Sequence, residues 1–82
     1  YTLSDGEYEV IEAEIIETSE LINKEIKNSN LPDELRIGAV LRDKKIIIPR
    51  SNFVFKKDDR VVFIVKKDSI SFVENIFRLS SV

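Results

Sequence analysis

The stretch "LRIGAVLRDKKIIIPR", residues 35–50, carries the clearest structural pattern in this chain. Every second residue of its first half is apolar, from Leu35 to Leu41, which places these side chains on one face of a strand. The polar "RDKK" is a tight connection, although Asp43-Lys44 lacks the glycine that two-residue hairpin turns prefer. "KIIIPR" continues as a short strand, and Pro49 must lie at its end or at a sheet edge because proline has no N–H to donate. The stretch therefore predicts a β-hairpin with its Leu35 face in the core.

Both faces of this hairpin are apolar enough to require cover. The face opposite the core carries Val40 between Arg36 and Arg42, and the three consecutive isoleucines 46–48 must point to alternating sides. A helix, a missing domain or a second copy of the chain could supply the cover, and a homodimer is the simplest choice. A glycine on this face lets a ligand or another backbone approach closely. The residues expected at the dimer interface are Gly38, Val40, Ile46 and Ile47.

Two further elements are predicted before the hairpin. Residues 8–17, "YEVIEAEIIE", alternate with a period close to two and predict a first strand. Thr18 and Ser19 then offer hydroxyl caps to "ELINKEIKN", residues 20–28, whose apolar positions 21, 22 and 26 fall near one helical face. The spacing predicts a helix of two to three turns that must dock on the sheet and ends before Pro32.

The remaining elements follow the hairpin. Phe53 and Phe55 alternate around Val54 and suggest a short strand, and "RVVFIVKK", residues 60–67, is a nearly continuous apolar run typical of a strand covered on both faces. Asp68 or Ser69 can cap a final helix. Its apolar stripe consists of Ile70, Val73, Ile76 and Phe77.

This order of elements, β-α-β-β-(β)-β-α, predicts an α+β fold with a small mixed sheet covered by two helices. Residues 7–79 are expected to form the domain, with residues 1–6 as a linker and residues 80–82 as a tail. The chain contains no Met and opens on Tyr1, so we expect it to be a piece of a longer protein.

Composition excludes most kinds of catalysis. The 82 residues include no Cys and no His, which removes thiolate nucleophiles, imidazole bases and the usual zinc ligands. The serines have no activating partner, and the two glycines cannot build a phosphate-binding loop. Glutamates crowd the first fifth of the chain, but their alternation on a strand is typical of a solvated face rather than of a metal site. We expect neither an enzyme nor a metal protein.

The charge and hydropathy of the chain limit the kinds of partner that it is expected to bind. A net charge of -2 gives no general attraction to nucleic acid, so only local arginines, Arg36, Arg42 and Arg50, are candidates for binding an anion. Arg42 lies next to the turn and is expected to be solvated. No apolar run approaches the roughly 20 residues of a membrane span, so a soluble domain is expected.

Three segments together resemble the TrkA-C domain, also called RCK_C. They are "EAEIIETSELINKEI", "LRIGAVLRDKKIIIPR" and "FVFKKDDRVVFIV", and the resemblance covers residues 7–77. Two positions depart from the family's pattern: Lys44 stands where a turn glycine is common, and Asp58 stands where glycine usually precedes the Asp of "GDRV".

The resemblance implies a cytoplasmic regulatory module of a potassium channel or transporter that follows a nucleotide-binding RCK_N domain. Such modules form two-fold dimers, and NAD or ATP is expected only on the RCK_N neighbour, with no cofactor in this domain. Some members bind cyclic di-AMP between the two copies. The corresponding positions here are Asn30, Leu31, Leu35, Arg36, Ile48 and Pro49. A purely structural dimerisation module without a ligand is the alternative.

Overall fold

The computed structural model describes residues 2–3 and 6–79, so the expected tail and part of the expected linker lie outside the described residues. In this part of the chain, one sheet runs in the order β1-β2-β5-β3-β4, with β6 also pairing with β2, and every pairing is antiparallel. The α+β class is confirmed, although the sheet is antiparallel rather than mixed. The strands are β1 (Thr2–Leu3), β2 (Tyr8–Glu14), β3 (Arg36–Arg42), β4 (Lys45–Ile47), β5 (Arg60–Lys66) and β6 (Arg78–Leu79).

The hydrophobic core lies on one face of this sheet. β2 and β5 pair along their whole length, and their alternating inner residues, such as Ala13 opposite Val61, are fully buried. The outer face is less covered, since Ile64 remains 40% exposed. β5 therefore has one buried face within the protomer, not the two expected from its apolar run. The core consists of Ile11, Ala13, Ile15, Leu21, Leu35, Val40, Phe55, Val61, Phe63, Val65, Val73 and Phe77.

A β-bulge at Gly38 reverses the alternation of β3. The pairing with β5 shifts register between Ile37 and Ala39, so one extra residue stands on the β3 side. Val40 consequently pairs with Val61 and is fully buried in the core. The expectation that Val40 shares the outer face with Arg36 was wrong, because strict alternation cannot account for an inserted residue.

The predicted helix over residues 20–28 is absent. Asn23 has a left-handed backbone, with φ of 67°, which interrupts any helical run. The N–H groups of Asn23 and Ile26 donate instead to the carbonyl oxygens of Phe55 and Phe53, each at 2.9 Å. Only a 3₁₀ turn, Ile26–Asn28, remains. Leu21 nevertheless reaches the core as expected, with 2% exposure, because the turns fold back over the sheet.

The C-terminal helix is present but short. It is α1 (Ile70–Glu74), and a 3₁₀ turn, Lys67–Ser69, precedes it. The predicted apolar stripe faces the core, since Val73 is fully buried and Phe77 stacks on Phe63 with ring centroids 5.1 Å apart. In the described part of the chain this is the one α-helix, where two had been expected.

An ion pair between Arg42, at the end of β3, and Asp59, directly before β5, connects these two strands. Asp59 is 1% exposed, and its carboxylate accepts hydrogen bonds from Nε and a terminal nitrogen of Arg42, both at 2.7 Å, and from the Lys56 N–H at 2.8 Å. The same guanidinium donates to the Val54 carbonyl at 2.9 Å and lies 4.8 Å from the centroid of the Phe53 ring. The expectation that Arg42 is solvated was wrong. No pattern near Arg42 marks a partner 17 positions away.

The Asp59 hydrogen bond raises the pKa of Arg42, although partial burial opposes this shift. A raised folded-state pKa means that the stabilisation is fully present below the ordinary guanidinium pKa and is lost only as the pH rises through the raised value. The Arg42 guanidinium therefore stays charged at every physiological pH.

Two tight turns hold residues in the left-handed region, and each includes one position, Lys44 or Asp58, at which the resemblance implies glycine. Asp43 and Lys44 have φ of 50° and 64°, as a type I′ hairpin turn requires, and Asp58 has φ of 71°. A residue with a Cβ is strained there, whereas glycine is not.

We predict that Lys44→Gly and Asp58→Gly each raise the free energy of unfolding by about 0.5–1 kcal/mol, because the strain exceeds the extra backbone entropy that glycine loses. Urea denaturation measures the change. Lys57→Gly is the matched control, since Lys57 is exposed without a left-handed backbone, and it should lower stability. A loss of stability at all three positions would contradict the turn geometry.

Candidate functional site

The structure gathers four of the six residues that the resemblance implied for ligand binding. They line a groove of about 340 Å³ between the loop that enters β3 and the segment that leaves β4. Asn30 lines a different cleft, and Ile48, although next to Pro49, does not line the groove. The gathered residues are Leu31, Leu35, Arg36 and Pro49, and the groove is completed by Ile26, Pro32, Asp33, Ile37, Arg50 and Ser51.

Backbone hydrogen bonds fix both walls of the groove. On one side the Leu35 N–H donates to the Pro32 carbonyl at 3.0 Å, which closes a turn at the entrance to β3. On the other side the Lys27 N–H donates to the Ser51 carbonyl at 2.9 Å and holds the segment after β4 in place. The hydroxyl of Ser29, a buried residue, donates to the Glu25 carbonyl at 2.6 Å and anchors the turn between the two walls. Hydrogen bonds within the chain therefore hold the walls of the groove in place.

Two guanidinium groups border the groove. Arg36 is exposed and donates to the carbonyl oxygens of Asp33 and Leu35, the latter at 2.9 Å, so its side chain is held against the groove wall. Arg50 is exposed on the opposite wall. Among the described residues, neither forms an ion pair with a carboxylate. Both charges thus remain available to an anion.

Arg50 was not among the residues implied for the ligand. The sequence analysis had nevertheless counted it among the three arginines that could bind an anion, and it directly follows Ile48-Pro49, which the resemblance linked to binding. Leu35 shows the opposite case: it lines the groove but is only 4% exposed, so it forms the floor and belongs mainly to the core.

A second cleft, of about 670 Å³, separates the turns after β2 from α1. Ile16, Asn30 and Phe72 line it together with several polar side chains. Nothing in the sequence pointed to this cleft, because it forms where the predicted helix over residues 20–28 is replaced by turns. Two of its polar side chains are engaged locally: the Asn75 amide donates to the Ser71 carbonyl at 3.2 Å, and the Ser29 hydroxyl donates to the Glu25 carbonyl at 2.6 Å.

The four residues expected at the dimer interface are divided between the surface and the core. Ile46 is 72% exposed, and Ile48 beside it is 74% exposed. Val40 is buried within the protomer and is unavailable to a partner, and Ile47 packs against the core. Gly38 is exposed, and a Cβ there would lie 3.7 Å from the Val62 carbonyl oxygen, so nothing inside the protomer requires glycine at the bulge.

The outer face of the sheet carries one close ion pair. Arg60 donates to Glu12 at 2.8 Å, and this hydrogen bond raises the pKa of Arg60. Both side chains are partly exposed, and solvent screening makes the stabilisation small. The pair borders an apolar strip formed by the half-buried Val62 and the exposed Ile64.

Residues 6–79 contain no group of three or more acidic, His or Cys side chains arranged to hold a metal ion. Within the described part of the chain, no helix has the length and apolarity needed to cross a membrane.

The fold is similar to that of a solved structure described as the structure of an RCK domain with cda. The two align with a TM-score of 0.74 over 84% of this chain and 97% of the other, at 13% sequence identity. This likeness shows the fold.

Sequence comparison then gives the family. The model of the TrkA-C domain matches residues 10–78, and the chain belongs to the TrkA-C domain family. It is 40% identical over 80 residues to the Trk system potassium uptake protein TrkA of Azorhizobium caulinodans, and 31% identical over 77 residues to a TrkA homolog of Archaeoglobus fulgidus. These alignments cover 98% and 94% of this chain, respectively, and 18% of each relative.

Proposed function

We propose that this chain is a cytoplasmic regulatory domain of a potassium transport system that dimerises and binds a small anionic ligand to gate an attached transporter. The observation that carries the proposal is a groove in a TrkA-C domain bordered by two guanidinium groups that form no ion pair with any carboxylate among the described residues. The relatives that share the domain are Trk system potassium uptake proteins. The partners are then a neighbouring RCK_N domain and a membrane-embedded transporter subunit, and the domain itself is not an enzyme.

The groove's chemistry favours a nucleotide with negative charge. Leu31, Pro32 and Pro49 offer an apolar surface to a base, and Arg36 and Arg50 offer bidentate donors to phosphate. Cyclic di-AMP combines two flat bases with two phosphates and fits this division. The related RCK structure is described as containing cda, which supports a ligand at this kind of domain.

Gating requires that the ligand binds two arrangements of the dimer with different affinities. A ligand in the groove shifts the transporter only if it binds one arrangement of the two copies more tightly than the other. Ile46 and Ile48 are exposed in β4 and the residue after it, and Pro49, which follows Ile48, lines the groove. A ligand in the groove can therefore influence how two copies contact each other.

The alternative is a structural module that dimerises and binds nothing. The exposed Ile46 and Ile48 favour dimerisation under either hypothesis, whereas the unpaired Arg36 and Arg50 favour the ligand-binding one.

We predict that cyclic di-AMP gives a saturable calorimetric signal with this chain, and that ATP and NAD bind more weakly or not at all. Arg36→Gln should weaken cyclic di-AMP binding by roughly tenfold or more, because a charge-assisted hydrogen bond to phosphate contributes about 1.5–3 kcal/mol. Lys57→Gln, which removes an exposed charge outside the groove, is the control and should bind normally. The absence of heat with all three nucleotides would favour the structural module.

We predict that light scattering at micromolar concentration returns twice the 9.5 kDa mass of one chain. Ile48→Lys should yield the single-chain mass, because it places a charge in the apolar contact. Phe72→Lys, which changes an exposed apolar residue on α1 instead, should remain dimeric. A 9.5 kDa particle for the unmodified chain would contradict dimerisation.

A further inference from the structure

β4 is the last strand at its side of the sheet, and its geometry shows which backbone groups face outward. Arg42 and Lys45 flank the two-residue turn and form the hydrogen-bonded pair that closes such a hairpin. Leu41 and Ile46 are the next, non-bonded pair, so the N–H and C=O of Ile46 point away from β3. The same groups of Ile48, two residues later, point to the same side as long as the chain stays extended, and a residue before proline favours extended backbone.

The side chains along this edge are unusual for a strand that faces water. Ile46 and Ile48 are 72% and 74% exposed, whereas sheet edges are ordinarily protected by charge, proline or a covering segment. Lys45 and Pro49 provide such protection only at the two ends of the segment. The unprotected centre is thus short, apolar and supplied with outward hydrogen-bonding groups.

We propose that β4 pairs in antiparallel fashion with the same strand of a second copy, with the two-fold axis at Ile47. In this register Ile46 exchanges both of its backbone hydrogen bonds with the partner's Ile48, and Ile48 does the same with the partner's Ile46. Two protomer sheets become one continuous sheet. The inference rests on the homodimer in the proposed function and specifies its geometry.

This register uses more of the edge than an axis at Ile46 does. An axis at Ile46 pairs that residue with its own copy and makes two backbone hydrogen bonds, because the next outward position is in the turn at Lys44. An axis at Ile47 makes four, and it places all four exposed isoleucine side chains in two cross-strand pairs on one face.

The pairing also completes the groove. An axis at Ile47 places the partner's Lys45 opposite Pro49, a groove residue that is followed by Arg50. The partner thereby adds a cation next to the two guanidinium groups, and the repulsion among them is relieved when an anion binds. Dimerisation and anion binding then favour each other.

Disulfide trapping tests the register, since the chain has no cysteine of its own. Ile46→Cys and Ile48→Cys are prepared as two separate full-length variants, and each alone serves as the control for their equimolar mixture. In the proposed register residues 46 and 48 of different copies lie about 5.5 Å apart at Cα, which a disulfide spans, whereas identical residues lie about 7–8 Å apart. We expect mixed 46–48 disulfides to form at least about tenfold faster than either homodisulfide under mild oxidation.

Light scattering of the reduced unmodified chain and of both reduced variants distinguishes a wrong register from the absence of a dimer. A dimer in which Ile46→Cys alone cross-links fastest would place the axis at Ile46 and overturn the proposed register. A dimer whose mixed and homodisulfides form at equal slow rates would place the interface elsewhere, which overturns this inference but leaves the homodimer standing. An unmodified chain that scatters as a single 9.5 kDa particle would overturn both.

Discussion

The ion pair between Arg42 and Asp59 is the interaction on which the arrangement of this domain depends. A carboxylate that is 1% exposed would be costly without partners, yet Asp59 accepts two hydrogen bonds from one planar guanidinium and a third from the Lys56 N–H. The pair joins β3, which carries the hairpin, to the start of β5 in the middle of the sheet. It also holds the intervening loop through the Val54 carbonyl and the Phe53 ring.

The position of the proposed site depends on this ion pair and on the loop that it holds. The loop held by Arg42 binds residues 23–26 through the carbonyl groups of Phe53 and Phe55. Those residues continue into the 3₁₀ turn at Ile26, a residue that lines the groove. On the other side of Arg42, the turn at Asp43 and Lys44 sets the register of β4 and therefore the exposure of Ile46. One buried ion pair thus places a groove wall and the sheet edge in the same region.

The sequence predicted β2 well, because alternation over seven residues reports burial on one face directly. It located β5 from its apolar run but assigned it two covered faces, where the protomer buries one. The short strand expected around Val54 is only an isolated bridge to Glu25. The sequence placed Val40 on the wrong face because a bulge at Gly38 adds a residue without altering composition. It predicted a helix over residues 20–28 because apolar spacing cannot show that Asn23 adopts a left-handed backbone or that the Phe53–Phe55 segment takes the hydrogen bonds. These are tertiary effects, decided by contacts between residues about 30 positions apart.

The groove was foreseen only through the family resemblance, which supplied Leu31, Leu35, Arg36 and Pro49. The residue pattern alone identified the arginines as possible anion-binding residues. It also predicted that Arg42 is solvated, because the sequence around an arginine does not show that its ion-pair partner lies 17 positions away. The exposed edge was partly foreseen. Three consecutive isoleucines required a second covered face, and the structure assigns that face to residues 46 and 48 while Ile47 packs inward.

A double-mutant cycle on Arg42 and Asp59 tests the central role of the ion pair most directly. The variants Arg42→Met, Asp59→Asn and the double change are compared by urea unfolding, with the exposed Arg60–Glu12 pair as the reference cycle. Arg42→Met leaves the buried Asp59 carboxylate without its cation, and Asp59→Asn leaves the partly buried guanidinium without its anion. We therefore expect a coupling energy of about 1.5–3 kcal/mol for Arg42–Asp59 and no measurable coupling for the reference pair. Equal, negligible coupling in both cycles would contradict the account.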